Sequence, residues 1–262
     1  MIKEFIERLK QGHQTTSYPD KYPGVYPRYR GTPKIDSSKC ADNCNACVEV
    51  CPTDAIAYDG GVKIDLGKCL FCVDCERACP EGAIKYTQDL YCCANKREGL
   101  VVGDEGMKLA SPMEEKLAKL YRGSFGIRQV SAGGDMGDEA ECNATQNIVF
   151  DTTRFGIHIV ASPRHADALL VTGPVSENMK LALEKTYKAV PKPTIVIACG
   201  TCAISGGPFR GHPEQHNGIG DIVPVDLYIP GFPPHPITIL DGLLRLLGYP
   251  EVAGLSGEAT RA

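Results

Sequence analysis

CADNCNACVEVCPTDAIAYDGGVKIDLGKCLFCVDCERACP, residues 40–80, holds eight of the chain's 13 cysteines in two matching runs. The first run is Cys40, Cys44, Cys47 and Cys51, followed by Pro52; the second is Cys69, Cys72, Cys75 and Cys79, followed by Pro80. Cys44, Cys47, Cys51, Pro52, Ala55, Ile56 and Tyr58 each recur 28 positions later, as Cys72, Cys75, Cys79, Pro80, Ala83, Ile84 and Tyr86. Only Cys40 is displaced, by one residue, relative to Cys69. Repetition of apolar residues together with thiols marks a repeated structural unit rather than a chance clustering.

The second run fits C-x2-C-x2-C-x3-C-P, the bacterial spacing for a [4Fe–4S] cluster, and the first differs from it by one inserted residue. Two residues between thiolates let one tight turn offer successive sulfurs to successive irons. The Cys-Pro then leads its sulfur to the neighbouring cluster. This assigns Cys40, Cys44, Cys47 and Cys79 to one [4Fe–4S] cluster, and Cys69, Cys72, Cys75 and Cys51 to a second. Zinc sites do not call for a Cys-Pro in each run. Disulfides belong to small secreted chains, and nothing here marks secretion.

A length of 262 residues suits one large or two modest domains. A net charge of −4 and the lack of any basic run argue against nucleic acid as a partner. No apolar stretch is long enough to span a bilayer, and MIKEFIERLK is too charged for a signal-peptide core. Thirteen cysteines in such a chain point to a reducing compartment and to metal.

Outward from the cysteine runs, residues 1–35 form an arm. Ile2, Phe5, Ile6 and Leu9 share one face of a short amphipathic helix, which suits packing on protein or, alternatively, lying at a membrane surface. The Tyr- and Pro-rich residues 15–35 are read as an extended clamp. Residues 36–88 form a small α+β ferredoxin-like domain, with short strands at 55–58, 62–64 and 83–86 and little apolar core, so that metal binding and folding are coupled. Residues 89–110 read as an irregular connector. Ser111, Pro112 and Glu114 have the form of a capping box opening a helix to about Tyr121.

In residues 111–250, strands at 156–160, 168–172, 194–198 and 223–228 alternate with helices at 176–189 and 236–247, and residues 251–262 form a tail. Near-continuous apolar strands separated by helices predict an α/β domain with a mainly parallel, doubly wound sheet. Its site is expected beyond the carboxyl ends of the strands, in the loops after Ala198 and Ile229.

Two resemblances emerge, covering about four-fifths of the chain. Residues 26–88, from Tyr-Pro-Arg-Tyr-Arg-Gly through both cysteine runs, resemble the two-cluster ferredoxin subunit of respiratory complex I and its hydrogenase relatives. Residues 111–250 resemble the small electron-transfer subunit of the same complexes, especially those of group 4 membrane-bound nickel–iron hydrogenases and formate hydrogenlyase. The strings that carry the second resemblance are RFGI (154–157), ASPRHADALLVTGP (161–174), Gly206-Gly207 with Phe209, VPVD (223–226) and IPG (229–231). The resemblance implies an iron–sulfur subunit that relays electrons to a large catalytic subunit beside a membrane arm, peripheral on the cytoplasmic face. The electron donor would be a soluble ferredoxin or a partner subunit.

That small-subunit family also holds a third [4Fe–4S] cluster, bound by a C-x-x-C pair, a Cys after the third strand and a Cys in a Pro-Gly-Cys-Pro-Pro loop. Here the pair falls on Asp135 and Asp138, the loop reads Pro230-Gly231-Phe232-Pro233-Pro234, and only Cys202 matches. Three readings stay open. The third cluster is gone. Or another metal or altered cluster uses Cys199, Cys202, Asp135 and Asp138, completed by Cys92, Cys93 or Cys142. Or Cys199 and Cys202 form a redox-active pair. No nucleophile–base constellation, P-loop or flavin fingerprint is present, which makes the chain a carrier of electrons rather than a catalyst of bond chemistry. An alternative of another class is a C-terminal domain that serves as a non-redox docking scaffold for the large subunit.

Overall fold

The computed structural model describes residues 2–41, 44–253 and 255. The C-terminal part is built on a five-stranded, all-parallel sheet. From one edge to the other the strands are Leu227–Ile229, Ile195–Cys199, Ala168–Thr172, Phe125–Ser131 and Ile157–Ile159. Every residue of Ala168–Thr172 and Ile195–Cys199 is buried, which is why these strands read as unbroken apolar runs. The α/β expectation for this half holds. Strand order reverses between Phe125–Ser131 and Ala168–Thr172, the position where open α/β sheets place their ligands.

Phe125–Ser131 is the longest strand of that sheet, and the sequence did not reveal it. Gly126, Arg128 and Gln129 interrupt its apolar character. Gly126 is required by a close approach, since a Cβ there would lie 2.8 Å from the His165 carbonyl oxygen. Its N–H donates to Asp167 Oδ2 (2.7 Å), and its carbonyl accepts from the Asp167 N–H (2.8 Å). The His-Ala-Asp string thus locks two neighbouring strands. The expected strand at 223–228 is instead Leu227–Ile229, because Pro224 has no N–H to give a ladder.

In the N-terminal half, Pro33–Ile35 pairs antiparallel with Ile84–Tyr86. Ile56–Tyr58, Val62–Asp65 and Val101–Val102 form an antiparallel sheet. The third strand comes from the region read as an irregular connector, held there by Arg97, whose guanidinium grips both Asp65 oxygens (2.7 and 2.6 Å). Ile64, Leu66, Leu100 and Val102 are almost wholly buried and continuous with Val196, Ala203 and Ile204 of the large sheet's layer. The cysteine-rich half therefore shares an apolar core with its neighbour, instead of having little of its own. The capping box is not formed: the helix is Glu115–Tyr121, and the Ser111 N–H donates to Asn95 Oδ1 (2.6 Å).

The Tyr-Pro arm clamps its own chain. The Tyr22 hydroxyl donates to the Gln88 carbonyl (2.6 Å), and Arg154 donates to the carbonyls of Thr16 and Tyr18 (2.8 Å each). The Tyr18 hydroxyl donates to Asp241 Oδ1 (2.7 Å), whose other oxygen accepts from Arg245 Nε (2.7 Å). All three side chains are buried, and Asp241 and Arg245 lie on the fully buried helix Pro236–Leu246. By contrast, helix Ile2–Gln11 buries no residue and leaves Ile2, Phe5, Ile6 and Leu9 exposed. No described helix is long and apolar enough to cross a membrane. The expected tail, apart from residues 251–253 and 255, lies outside the described residues.

Asp241→Ala strands a buried guanidinium and is expected to cost about 3–5 kcal/mol, whereas Tyr18→Phe removes one bond to a charged group, about 2 kcal/mol. Denaturant midpoints of the anaerobic holoprotein check the ranking. His235 gives a pH-dependent counterpart. Its Nδ1 accepts from the Ile237 N–H (3.1 Å) as the cap of the buried helix, and burial pushes its pKa down to about 4. A depressed folded-state pKa makes this contribution complete above the unfolded value near 6.5 and progressively lost as pH falls towards 4. His235→Asn keeps a capping oxygen. Its melting temperature should therefore fall less between pH 7 and pH 5 than that of the natural protein.

Candidate cluster sites and the carboxyl edge of the sheet

The two short helices Ala46–Glu49 and Asp74–Ala78 bury Cys47 and Cys75. Cys40, Cys44, Cys47 and Cys79 line one cavity, closed by Val62, Ala83 and Ile84. The second set also gathers: Cys51 acts electrostatically on Cys69, Cys72 and Cys75. Each Cys-Pro thus carries its sulfur away from its own run and into the other.

The repeat extends to the hydrogen bonds. The Ala55 N–H donates to Cys51 Sγ and the Ala83 N–H to Cys79 Sγ, each at 3.2 Å and each four residues on. It breaks at the tyrosines. The Tyr86 hydroxyl lies 3.2 Å from Cys69 Sγ and 3.8 Å from Cys75 Sγ, whereas Tyr58 is 52% exposed. Burial pushes Cys69 up to about 12 and Cys75 up to about 11, opposed by the Tyr86 hydrogen bond. Eight thiols in two half-buried sets, with backbone N–H groups aimed at the sulfurs, suit two cubes. Among the described residues no three His, Cys, Asp or Glu side chains converge as a single ion requires, while a cube spreads its ligands over separate irons.

The second set abuts the large sheet's layer. The Thr201 hydroxyl, at the start of the short helix Thr201–Ser205, lies 3.0 Å from the carbonyls of both Cys69 and Gly231. Cys202 is buried on that helix. Facing it, helix Gly137–Ala144 follows the strand Phe125–Ser131 and carries Asp138 and Glu139, both buried, with exposed Asp135 just ahead. Gly200 is the second glycine that the structure demands: φ is +88°, and a Cβ would fall 2.1 Å from Asp138 Oδ2. Burial, then Glu139 and Asp135, push Asp138 up to about 8. Burial, then Asp138, Asp135 and Glu139, push Cys202 up to about 12. Glu139 Oε1 accepts from the hydroxyls of Ser131 (2.6 Å) and Thr172 (2.7 Å), bridging the two strands between which the order reverses.

Of the residues suggested for a third site, Asp138 and Asp135 act electrostatically on Cys202 without the three converging as an ion site requires. Cys199 Sγ lies 3.7 Å from Cys142 Sγ in the core, where Asp138 acts on it as well. Cys92 Sγ points to the carbonyls of Leu90 and Pro230, and Cys93 Sγ to that of Thr238, all fully enclosed. Glu139 was missed, because in the acidic stretch 135–141 it looks like part of a solvated loop.

Residues 136–246 match the model of the NADH ubiquinone oxidoreductase 20 kDa subunit, and residues 39–83 match that of the 4Fe–4S dicluster domain. The probable membrane-bound hydrogenase subunit mbhJ of Pyrococcus furiosus is 38% identical over 52% of this chain and 83% of its own length. The chain belongs to the 20 kDa subunit family. Formate hydrogenlyase subunit 7 of Escherichia coli is 42% identical over 55% of this chain, and an NADH-quinone oxidoreductase subunit of Desulfovibrio desulfuricans 43% over 40%. The chain spans only 56% and 57% of the lengths of these two.

Measured against the 20 kDa subunit pattern, the carboxyl edge of the sheet does not fit a third cube. One thiol, two carboxylates and the phenyl of Phe232 stand where four thiolates are needed, and carboxylates are hard ligands poorly matched to iron–sulfur chemistry.

Proposed function

We propose that this chain is an electron-transfer subunit of a membrane-associated assembly of the complex I and group 4 hydrogenase type, peripheral on the cytoplasmic face. On this reading two [4Fe–4S] clusters are bound, one by Cys40, Cys44, Cys47 and Cys79 and the other by Cys69, Cys72, Cys75 and Cys51. The donor is a soluble ferredoxin or a partner subunit, and the recipient lies with a large subunit docked on the sheet domain. The observation that carries the reading is the exchange of Cys51 and Cys79 between runs, with the same N–H···S bond behind each.

Bound clusters supply one-electron chemistry; the chain's own residues set where and at what potential it happens. The N–H groups of Ala55, Ala83 and Phe71 donate to sulfurs and offset the negative charge of a reduced site. Val62, Ala83 and Ile84 give the first set an apolar wall. Thr201 fixes the Cys69 turn against the sheet domain, so the second set sits at the junction. The sheet domain, lacking a third thiolate set, acts as the docking scaffold.

Iron and acid-labile sulfide on anaerobically purified protein should come to about eight of each per chain, four per site. No iron would sink the relay, and about twelve would mean that the carboxyl edge still holds a cube. Tyr86→Phe removes a donor from one set only. It should lower the midpoint potential of one cluster by tens of millivolts and leave the other unchanged, while Tyr58→Phe shifts neither; redox titration followed by electron paramagnetic resonance reads both.

A further inference from the structure

The reversal point of the sheet carries a pair of buried acids without a counter-charge among the described residues. Asp138 is 3% exposed and Glu139 8%. Glu139 Oε2 is buried with no hydrogen-bond partner among the described residues. Besides burial, only other carboxylates act on Asp138, namely Glu139 and Asp135, and no cation among the described residues does. Cys202 feels the same three acids. A carboxyl withdrawn from water in this way either holds a proton, as Asp138 does while unpaired, or is kept charged by a paired cation.

The geometry also limits the counter-charge. Among the described residues no three of these groups converge on one point, so a compact divalent ion is poorly served. A guanidinium is planar, presents five N–H donors in a rigid fork and is weakly hydrated, so it bridges separated acceptors and tolerates burial. The buried pair borders solvent: Asp135 is exposed and Met136, beside it, is 71% exposed. Open α/β sheets receive their ligands at this edge and at this reversal of strand order.

We propose that Asp138 and Glu139, with Asp135 at the rim, receive an arginine side chain from a partner subunit docked on the carboxyl edge of the sheet. The inference rests on the reading of this chain as one subunit of an assembly, but not on its iron content. The guanidinium takes the unpartnered Glu139 Oε2 and the Asp138 carboxylate, placing a buried ion pair where the family has a thiolate-bound cube.

The test uses the assembly drawn from membranes through a tag on this chain, with Asp138→Asn, Glu139→Gln and the double variant beside the natural protein. Both substitutions keep shape, and the amide oxygen that Glu139→Gln introduces still accepts from Ser131 and Thr172. Dissociation of the docked subunit, followed by native mass spectrometry, should become easier by at least about 30-fold for each, as for loss of one partner of a buried charge pair. Glu105→Gln, an exposed acid elsewhere, should change nothing. A cryo-electron-microscopy map of the natural assembly should show a guanidinium within about 3 Å of both carboxylates.

Unchanged or tighter association in variants with natural iron content and circular dichroism would overturn the proposal. So would a metal ion, a cluster or an apolar side chain in the pocket. Absence of iron with the charge dependence intact would remove the relay and leave this pairing standing.

Discussion

Cys51 and Cys79 follow their own runs in sequence but stand among the thiols of the other. Neither four-thiol set can close until both runs have folded against each other. A duplicated unit of this kind is therefore not two independent beads but one object with two centres. The rest of the N-terminal half follows from it: the short helices that carry Cys47 and Cys75, the paired N–H···S bonds, and the strands Ile56–Tyr58 and Ile84–Tyr86 that lead away from each Cys-Pro. The connector is drawn in as a third strand, because Val102 and Leu100 complete a core that the two units leave open on one side.

The sheet domain repeats a family architecture while altering the chemistry at its edge. Carboxylates stand there at positions where the resemblance to the small-subunit family implies soft thiolates, and carboxylates favour charge and hydrogen bonding over iron–sulfur ligation. The fold has adjusted to the new side chains. Asp138 lies against the backbone of Gly200, and Glu139 ties together two strand ends.

What sequence made legible was whatever is periodic or stoichiometric. The 28-residue repeat and the ligand spacing were readable because chemistry fixes both. Strands 168–172 and 195–199 were readable because burial on both faces leaves only apolar residues. Phe125–Ser131 was hidden because the close approach of the His165 carbonyl demands a glycine at 126 and Arg128, Gln129 and Ser131 are polar. Ser111 looked like a cap, but Asn95 claims its N–H and the helix starts at Glu115. Glu139 was hidden for the opposite reason: its neighbours are acidic, and only three-dimensional packing shows which acids are enclosed. The pairing of Cys199 with Cys142 rather than Cys202 is likewise a fact of side-chain direction, which spacing alone does not carry.

The bond between Tyr18 and Asp241 joins residues 223 positions apart. Contacts of such separation carry the largest loop-closure cost and form late. During synthesis the arm emerges before the helix Pro236–Leu246, so it has no seat until that helix has been made. The arm is thus a latch that closes only after the cysteine-bearing half has been made.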